Sequence, residues 1–153
     1  MSNDIKLTIE LPTGVYLEKQ VPALVLPAVR APIEILPDRA PSVFVLDYGA
    51  IEITGKGSNG KDKYFIYSGT ADVAENHCKI MTQEVVSASD INVNLAKEKM
   101  AAAQNENERL FYEMIIDHLR GVRRRYLRTL QLLRKRKGRW AFRHRRKDKK
   151  DLI

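Results

Sequence analysis

The chain has 153 residues, 44% apolar and 30% charged, which suits one domain with an appendage and is too short for two full-sized domains. No apolar run approaches the roughly 18 residues that cross a bilayer, and the opening Met1-Ser2-Asn3-Asp4 lacks the basic and apolar stretches of a signal peptide, so a soluble cytoplasmic protein is expected. The net charge of +8 divides unevenly, residues 1–118 holding 11 Lys and Arg against 17 Asp and Glu and residues 119–153 holding 16 against 2, so the C-terminal fifth is built to meet something acidic: nucleic acid, anionic lipid or an acidic protein surface.

From residue 5 to about 86 the chain reads as short strands between turn signals. Residues 6–11 alternate polar and apolar before Pro12-Thr13-Gly14 turns the chain. Residues 21–26, 42–46, 50–54, 63–67, 70–74 and 78–85 follow the same pattern. Prolines 12, 22, 27, 32, 37 and 41 keep the strands they flank short or at an edge. About eight to ten strands in this span predict an antiparallel β-sandwich or flattened barrel. The expected inward residues are Leu7, Ile9, Leu24, Leu26, Ile35, Val43, Val45, Ile51, Ile53, Phe65, Val73 and Ile80. The one cysteine, Cys78, excludes an internal disulfide and a cysteine-based zinc site, and its alternation with Ile80 predicts a buried structural thiol.

The composition turns helical after Ser87-Ala88-Ser89-Asp90, whose serine or aspartate suits a helix cap. A first helix over 91–104 and a second from Glu106 form a hairpin around the polar turn at 105–108. In the second, Phe111, Ile115, Leu119, Val122, Tyr126, Leu130 and Leu133 recur at steps of three and four and share one stripe, with Arg120, Arg124, Arg128 and Arg134 off it. Running to Lys137, that helix would be about 48 Å long at 1.5 Å per residue, with Gly121 inside it at a cost of about 1 kcal/mol. The expected divisions are a sandwich at 1–86, a helical hairpin at 87–137 and a disordered basic tail at 138–153 that starts near Trp140 and Phe142.

No enzyme chemistry suggests itself. Residues 55–62 approach the phosphate-loop pattern, but Asp62 stands where a magnesium-binding hydroxyl belongs and a strand, not a helix, is expected after it. Hairpin chemistry explains the glycines. His77, His118 and His144 show no metal-ligand spacing, and His118 reads as a surface pair with Asp117. No cofactor is expected. By itself the basic segment leaves open a β-sandwich adaptor with a nucleic-acid-binding tail, which would bind in a salt-dependent way.

Several motifs in order resemble the epsilon subunit of F-type ATP synthases, called delta in mitochondria. Leu11-Pro12-Thr13-Gly14-Val15-Tyr16 looks like the family's first turn and Val25-Leu26-Pro27 like its proline-ended strand. Residues 31–41, A-P-I-E-I-L-P-D-R-A-P, are similar to the family's G-x-x-G-I-x-P-x-H-A-P loop, and Tyr48-Gly49-Ala50-Ile51 follows at the expected distance. Residues 64–73, Y-F-I-Y-S-G-T-A-D-V, match a strand, a G-G turn and a second strand, and Ser89-Asp90-Ile91 precedes an alanine-bearing helix. Ala31 and Glu34 replace two glycines of the pattern, Arg39 the histidine and Ser68 the first glycine of the turn.

The resemblance implies a non-catalytic rotor part. It would bind the foot of the gamma shaft and the top of the membrane c-ring, pass ion-driven rotation to the catalytic head, and sit peripherally on the cytoplasmic face of the inner membrane, with no specific nucleic acid as partner. It places Ala31, Pro32, Asp38 and Arg39 at the c-ring. It gives Arg120, Arg123, Arg124, Arg128 and Arg134 an acidic loop of the catalytic alpha/beta head to dock on, blocking ATP hydrolysis. Where some relatives bind regulatory ATP through I-[DL]-x-x-R-A, this chain has Asn92 for the acid and Leu95 for the arginine. Losing the cation removes the main attraction for phosphate, so no ATP site is expected.

Overall fold

Leu7 and Ile9, and Cys78 and Ile80 beside them, are fully buried and two residues apart, the signature of strands that turn one pleated face inward. The computed structural model describes residues 4–58, 60 and 62–121. Its strands are β1 (Ile5–Leu11), β2 (Gly14–Val21), β3 (Ala23–Leu26), β4 (Ile33–Ile35), β5 (Ser42–Leu46), β6 (Gly49–Thr54), β7 (Lys63–Ile66), β8 (Gly69–Ala74), β9 (His77–Thr82) and β10 (Val85–Ser87), followed by helices α1 (Val93–Ala101) and α2 (Glu106–Leu119).

The strands form two five-stranded sheets, ordered β2-β1-β9-β8-β5 and β10-β7-β6-β3-β4. The expected β-sandwich is therefore present, antiparallel throughout its named pairings except where β1 runs parallel to β9. That pair needs a long crossover, which is supplied by the strands between them. Pro22 separates β2 from β3, with no N–H to continue a ladder, and here the chain passes from the first sheet to the second. Strands β2 and β4 are additions to the segments read from the sequence, and the one strand read over 78–85 divides into β9 and β10, which lie in different sheets. The 55–62 segment connects the antiparallel pair β6 and β7, so a strand does follow it.

Two apolar clusters hold the molecule. The first lies between the sheets and contains Leu7, Ile9, Leu24, Leu26, Ile35, Ile51, Ile53, Val73, Cys78 and Ile80. The expectation fails at Val43 and Val45, which are 71% and 63% exposed. The opposite phase of β5 packs inward instead, with Leu46 buried and Phe44 against the core. Either phase of Ser42–Leu46 is apolar, so local pattern does not select the buried face. Phe65 is buried, but in the second cluster, where Ala50 and Phe65 of the second sheet's outer face meet Ile91, Ala96, Phe111, Tyr112, Met114, Ile115 and Ile116.

That second cluster seats the helical hairpin. Each helix is capped by an asparagine: the side chain of Asn92 accepts from the Leu95 N–H and that of Asn105 from the Glu108 N–H, both at 2.8 Å. Ser87 instead caps a short 3-10 turn over Ala88–Asp90, so α1 begins later than the Ser/Asp signal suggested. The long second helix is also corrected. It ends at Leu119, with Arg120 as its C-cap and Gly121 at φ +73°, a left-handed position that glycine adopts without strain and that closes helices. Gly121 therefore lies beyond the end of α2 and not inside it. The stripe positions beyond it, and the expected tail at 138–153, lie outside the described residues.

Candidate functional site

The two outer sheet faces differ. The hairpin covers that of the second sheet, whereas in the first sheet the outward phase carries apolar side chains with no element of the described fold over them. The registers align Val45 with Thr70, Thr70 with Met81, Met81 with Glu10 and Glu10 with Val15, a row crossing all five strands. Val45, Met81 and Val15 are 63%, 46% and 60% exposed. A β-bulge between Ile9 and Glu10 brings Val15 into this row, since a bulge re-aims the side chains beyond it. Beside the middle of the row Glu10, Pro12, Gly69, Met81 and Gln83 border a cavity of about 420 Å³.

Beyond Val43, which heads the next row and is 71% exposed, the neighbouring positions are polar: Lys6 pairs with Glu18 at 2.8 Å, Lys79 reaches Glu10 of the first row at 3.4 Å, and the Thr8 hydroxyl lies 3.0 Å from His77 Nε2. Exposed apolar side chains that alternate with Thr70 and Glu10 and are bordered by paired charges are the make-up of a protein contact. None of Val15, Val45 and Met81 stood out in the sequence as a site. The one available signal was that Met81 is apolar between the inward Ile80 and Thr82, where alternation expects a polar side chain.

The four residues expected at one proline loop are divided by β4. Ala31 and Pro32 lead into it where Ile33 pairs with Leu26, and Asp38 and Arg39 follow beyond Ile35, which pairs with Leu24. Asp38 is held at φ +64° by reciprocal bonds with Asn76: its N–H donates to Asn76 Oδ1 at 2.6 Å and its Oδ1 accepts from Asn76 Nδ2 at 3.1 Å. Asn76 and Glu75 are the positive-φ pair of the tight turn joining β8 to β9. The Arg39 guanidinium lies 5.3 Å from the Phe44 ring centroid, and its buried Nε has no hydrogen-bond partner. Pro32, by contrast, shares a cavity of about 270 Å³ with Leu26, Pro27, Ala50, Glu52 and His118, next to the last turn of α2.

His118 is not a surface residue. Its side chain is 18% exposed, 3.7 Å from the Glu52 carboxylate and 3.4 Å from Lys63 Nζ, and stands edge-on to Phe65 with ring centroids 5.2 Å apart. It ties the end of α2 to β6 and β7. Of the five arginines expected to dock, Arg120 is the exposed C-cap of α2. Arg123, Arg124, Arg128 and Arg134 lie outside the described residues.

Cys78 is fully buried, and desolvation pushes its thiol up to about 12, which leaves it a structural side chain. Asn92 is engaged in capping α1. Among the described residues no cluster of three or more His, Cys, Asp or Glu could hold a metal, and no helix is long and apolar enough to cross a membrane.

Residues 4–88 match the beta-sandwich domain of the ATP synthase delta/epsilon chain. The ATP synthase epsilon chain of Gluconacetobacter diazotrophicus is 30% identical over 97 residues, which cover 63% of this chain and 68% of the relative. That of the Euglena gracilis chloroplast is 27% identical over 127 residues, 80% of this chain and 93% of the relative. In fold, the structure resembles a chain of the Euglena gracilis mitochondrial ATP synthase in an OSCP/F1/c-ring assembly, with a TM-score of 0.53, 24% identity and 73% and 74% of the two chains covered.

Proposed function

The chain belongs to the ATP synthase delta/epsilon family, and from that premise we propose that it is a non-catalytic rotor subunit of the central stalk, coupling c-ring rotation through the gamma subunit to the catalytic head. The observation that carries this reading is the contrast between the sheet faces. One is sealed by seven buried hairpin residues, and the other offers Val15, Met81 and Val45 in a row. A shaft that must turn with this subunit needs a contact that excludes water, and this row is where gamma docks.

The c-ring contact then consists of two parts rather than one. Asp38 and Arg39 form a clasped, polar part; Ala31 and Pro32 form an apolar part beside α2. In this reading the sandwich, residues 1–86, is the grip, and residues 87–137 are an arm. Arg120, Arg123, Arg124, Arg128 and Arg134 engage an acidic loop of the alpha/beta head when the arm leaves the sandwich, restraining ATP hydrolysis. The subunit lies peripherally on the cytoplasmic face of the membrane.

The test is co-purification with the cognate gamma subunit and ATP hydrolysis by the cognate head. Met81→Glu places a charge at the centre of the row without touching the core, and at least a tenfold loss of gamma affinity is expected with thermal unfolding unchanged. Replacing the five arginines with alanine should abolish inhibition at low salt while gamma still binds. Wild-type protein that binds neither gamma nor the head would overturn the rotor assignment.

A further inference from the structure

The loop at 36–41 has little conformational freedom of its own. Pro37 and Pro41 fix their own φ angles and disfavour helical geometry at Leu36 and Ala40, which precede them. The shape of the loop therefore falls to Asp38 and Arg39. Arg39 lies against the Phe44 ring at 5.3 Å. Asp38 takes φ +64°, a left-handed angle that is unfavourable for a residue with a β-carbon and persists where neighbours enforce it. The neighbour that enforces it is Asn76, whose side chain accepts from the Asp38 N–H and donates to the Asp38 carboxylate.

Asn76 is itself fixed to the first sheet. With Glu75 it forms the positive-φ turn between β8 and β9, and its carbonyl accepts from the Lys6 N–H at 2.8 Å, where β1 begins its parallel pairing with β9. One residue on, His77 Nε2 lies 3.0 Å from the Thr8 hydroxyl. The clasp thus crosses from a loop that leaves the second sheet at β4 to strands β1 and β9 of the first, and β9 carries Met81 on its outer face. We propose that Asn76 is a positioning residue: acting through Asp38, it sets the loop 36–41 in the shape that meets the c-ring and passes load from that loop to the strands that face gamma. The inference rests on the c-ring and gamma contacts proposed above. A preformed loop avoids the ordering cost that a free one incurs on binding. The bond to Lys6 uses the backbone of Asn76, so a side-chain substitution removes the clasp and leaves β1 paired to β9.

The experiment measures binding of the full chain, in complex with its cognate gamma subunit, to cognate membranes stripped of catalytic heads, with gamma alone as the reference. Asn76→Gly keeps the positive φ accessible and deletes both side-chain bonds. Membrane affinity should fall about fivefold, the size of one ordinary net hydrogen bond, with faster exchange of the Asp38 amide and with thermal unfolding and gamma co-purification unchanged. Asn76→Asp sets two carboxylates against each other and should lose at least as much. Adding Asp38→Asn to it reverses the pair, both residues being tolerant of positive φ, and should restore the wild-type affinity. Unchanged affinity in Asn76→Gly, a loss matched by lower thermal stability, or no recovery in the reversed pair would each overturn the proposal. If the wild-type complex binds no better than gamma alone, the c-ring reading falls and this inference with it. If wild type and Asn76→Gly both bind equally and better than gamma alone, the c-ring reading stands and this inference alone is wrong.

Discussion

Phe111→Ala probes whether the hairpin is a unit that can leave the sandwich. Phe111 is fully buried, packed edge-on against Tyr67 and Tyr112 with ring centroids 5.6 and 5.2 Å away. It belongs to the cluster between the second sheet and the helices and not to the core between the sheets. Truncating a buried phenylalanine costs about 3–5 kcal/mol, a large part of the roughly 5–15 kcal/mol that holds a whole domain. Confined to the seam, that loss favours opening of the hairpin. Amide hydrogen exchange reads the opening free energy segment by segment, and at about 1.4 kcal/mol per factor of ten protection in α1 and α2 should fall by about two to three and a half decades. Protection in β1, β8 and β9 should not change, because their side chains face the other cluster. A uniform loss over both parts would refute the reasoning, since it would make sandwich and hairpin one cooperative unit; so would a loss in α2 of less than tenfold.

Three further outcomes follow from the geometry. In Gly69→Ala the new β-carbon would stand 2.0 Å from the Met81 carbonyl oxygen, a backbone clash in the β8–β9 ladder that should cost about 3 kcal/mol and lower the urea midpoint, with unchanged stability as the contrary result. Burial pushes the Tyr48 and Tyr112 phenols up to about 12, above the value near 10 of an unfolded chain. The unfolded state thus releases protons first as pH rises, so stability should be constant below about pH 9 and decline between about pH 10 and 12, seen by circular dichroism, with loss of α-helix first. Asn105→Ala removes the acceptor of the Glu108 N–H and should destabilise α2 by about 1 kcal/mol, measurable as faster exchange in its first turn; Asn105→Asp should restore protection.

Much of the fold was legible because the determinants are local. Alternation located Ser42–Leu46 to the residue, and prolines and glycines marked the strand ends. The basic C-terminal fifth was visible in residue counts alone, and Cys78, flanked by alternating residues, was read as buried and is. Family resemblance supplied the rotor reading from the order of weak motifs, which composition could not.

Tertiary structure decided the faces. Val43 and Val45 read as inward because β5 is apolar in both phases, and only pairing with β8 and packing of Phe44 and Leu46 chose between them. The apolar row of Val15, Met81 and Val45 joins strands distant in sequence, through a parallel pair and a bulge that no local pattern encodes. The proline loop looked like one contact in the chain, yet β4 passes through it and sends Pro32 toward His118 and Asp38 toward Asn76. His118 itself looked like a polar surface residue next to Asp117, and became part of a seam because Glu52, Lys63 and Phe65 of the second sheet stand against it. Gly121 read as a position inside a long helix, and its left-handed backbone angle places it just past the end of α2. Local sequence sets period and punctuation; which of two faces is buried, and what stands opposite it, depends on contacts between residues far apart in the chain.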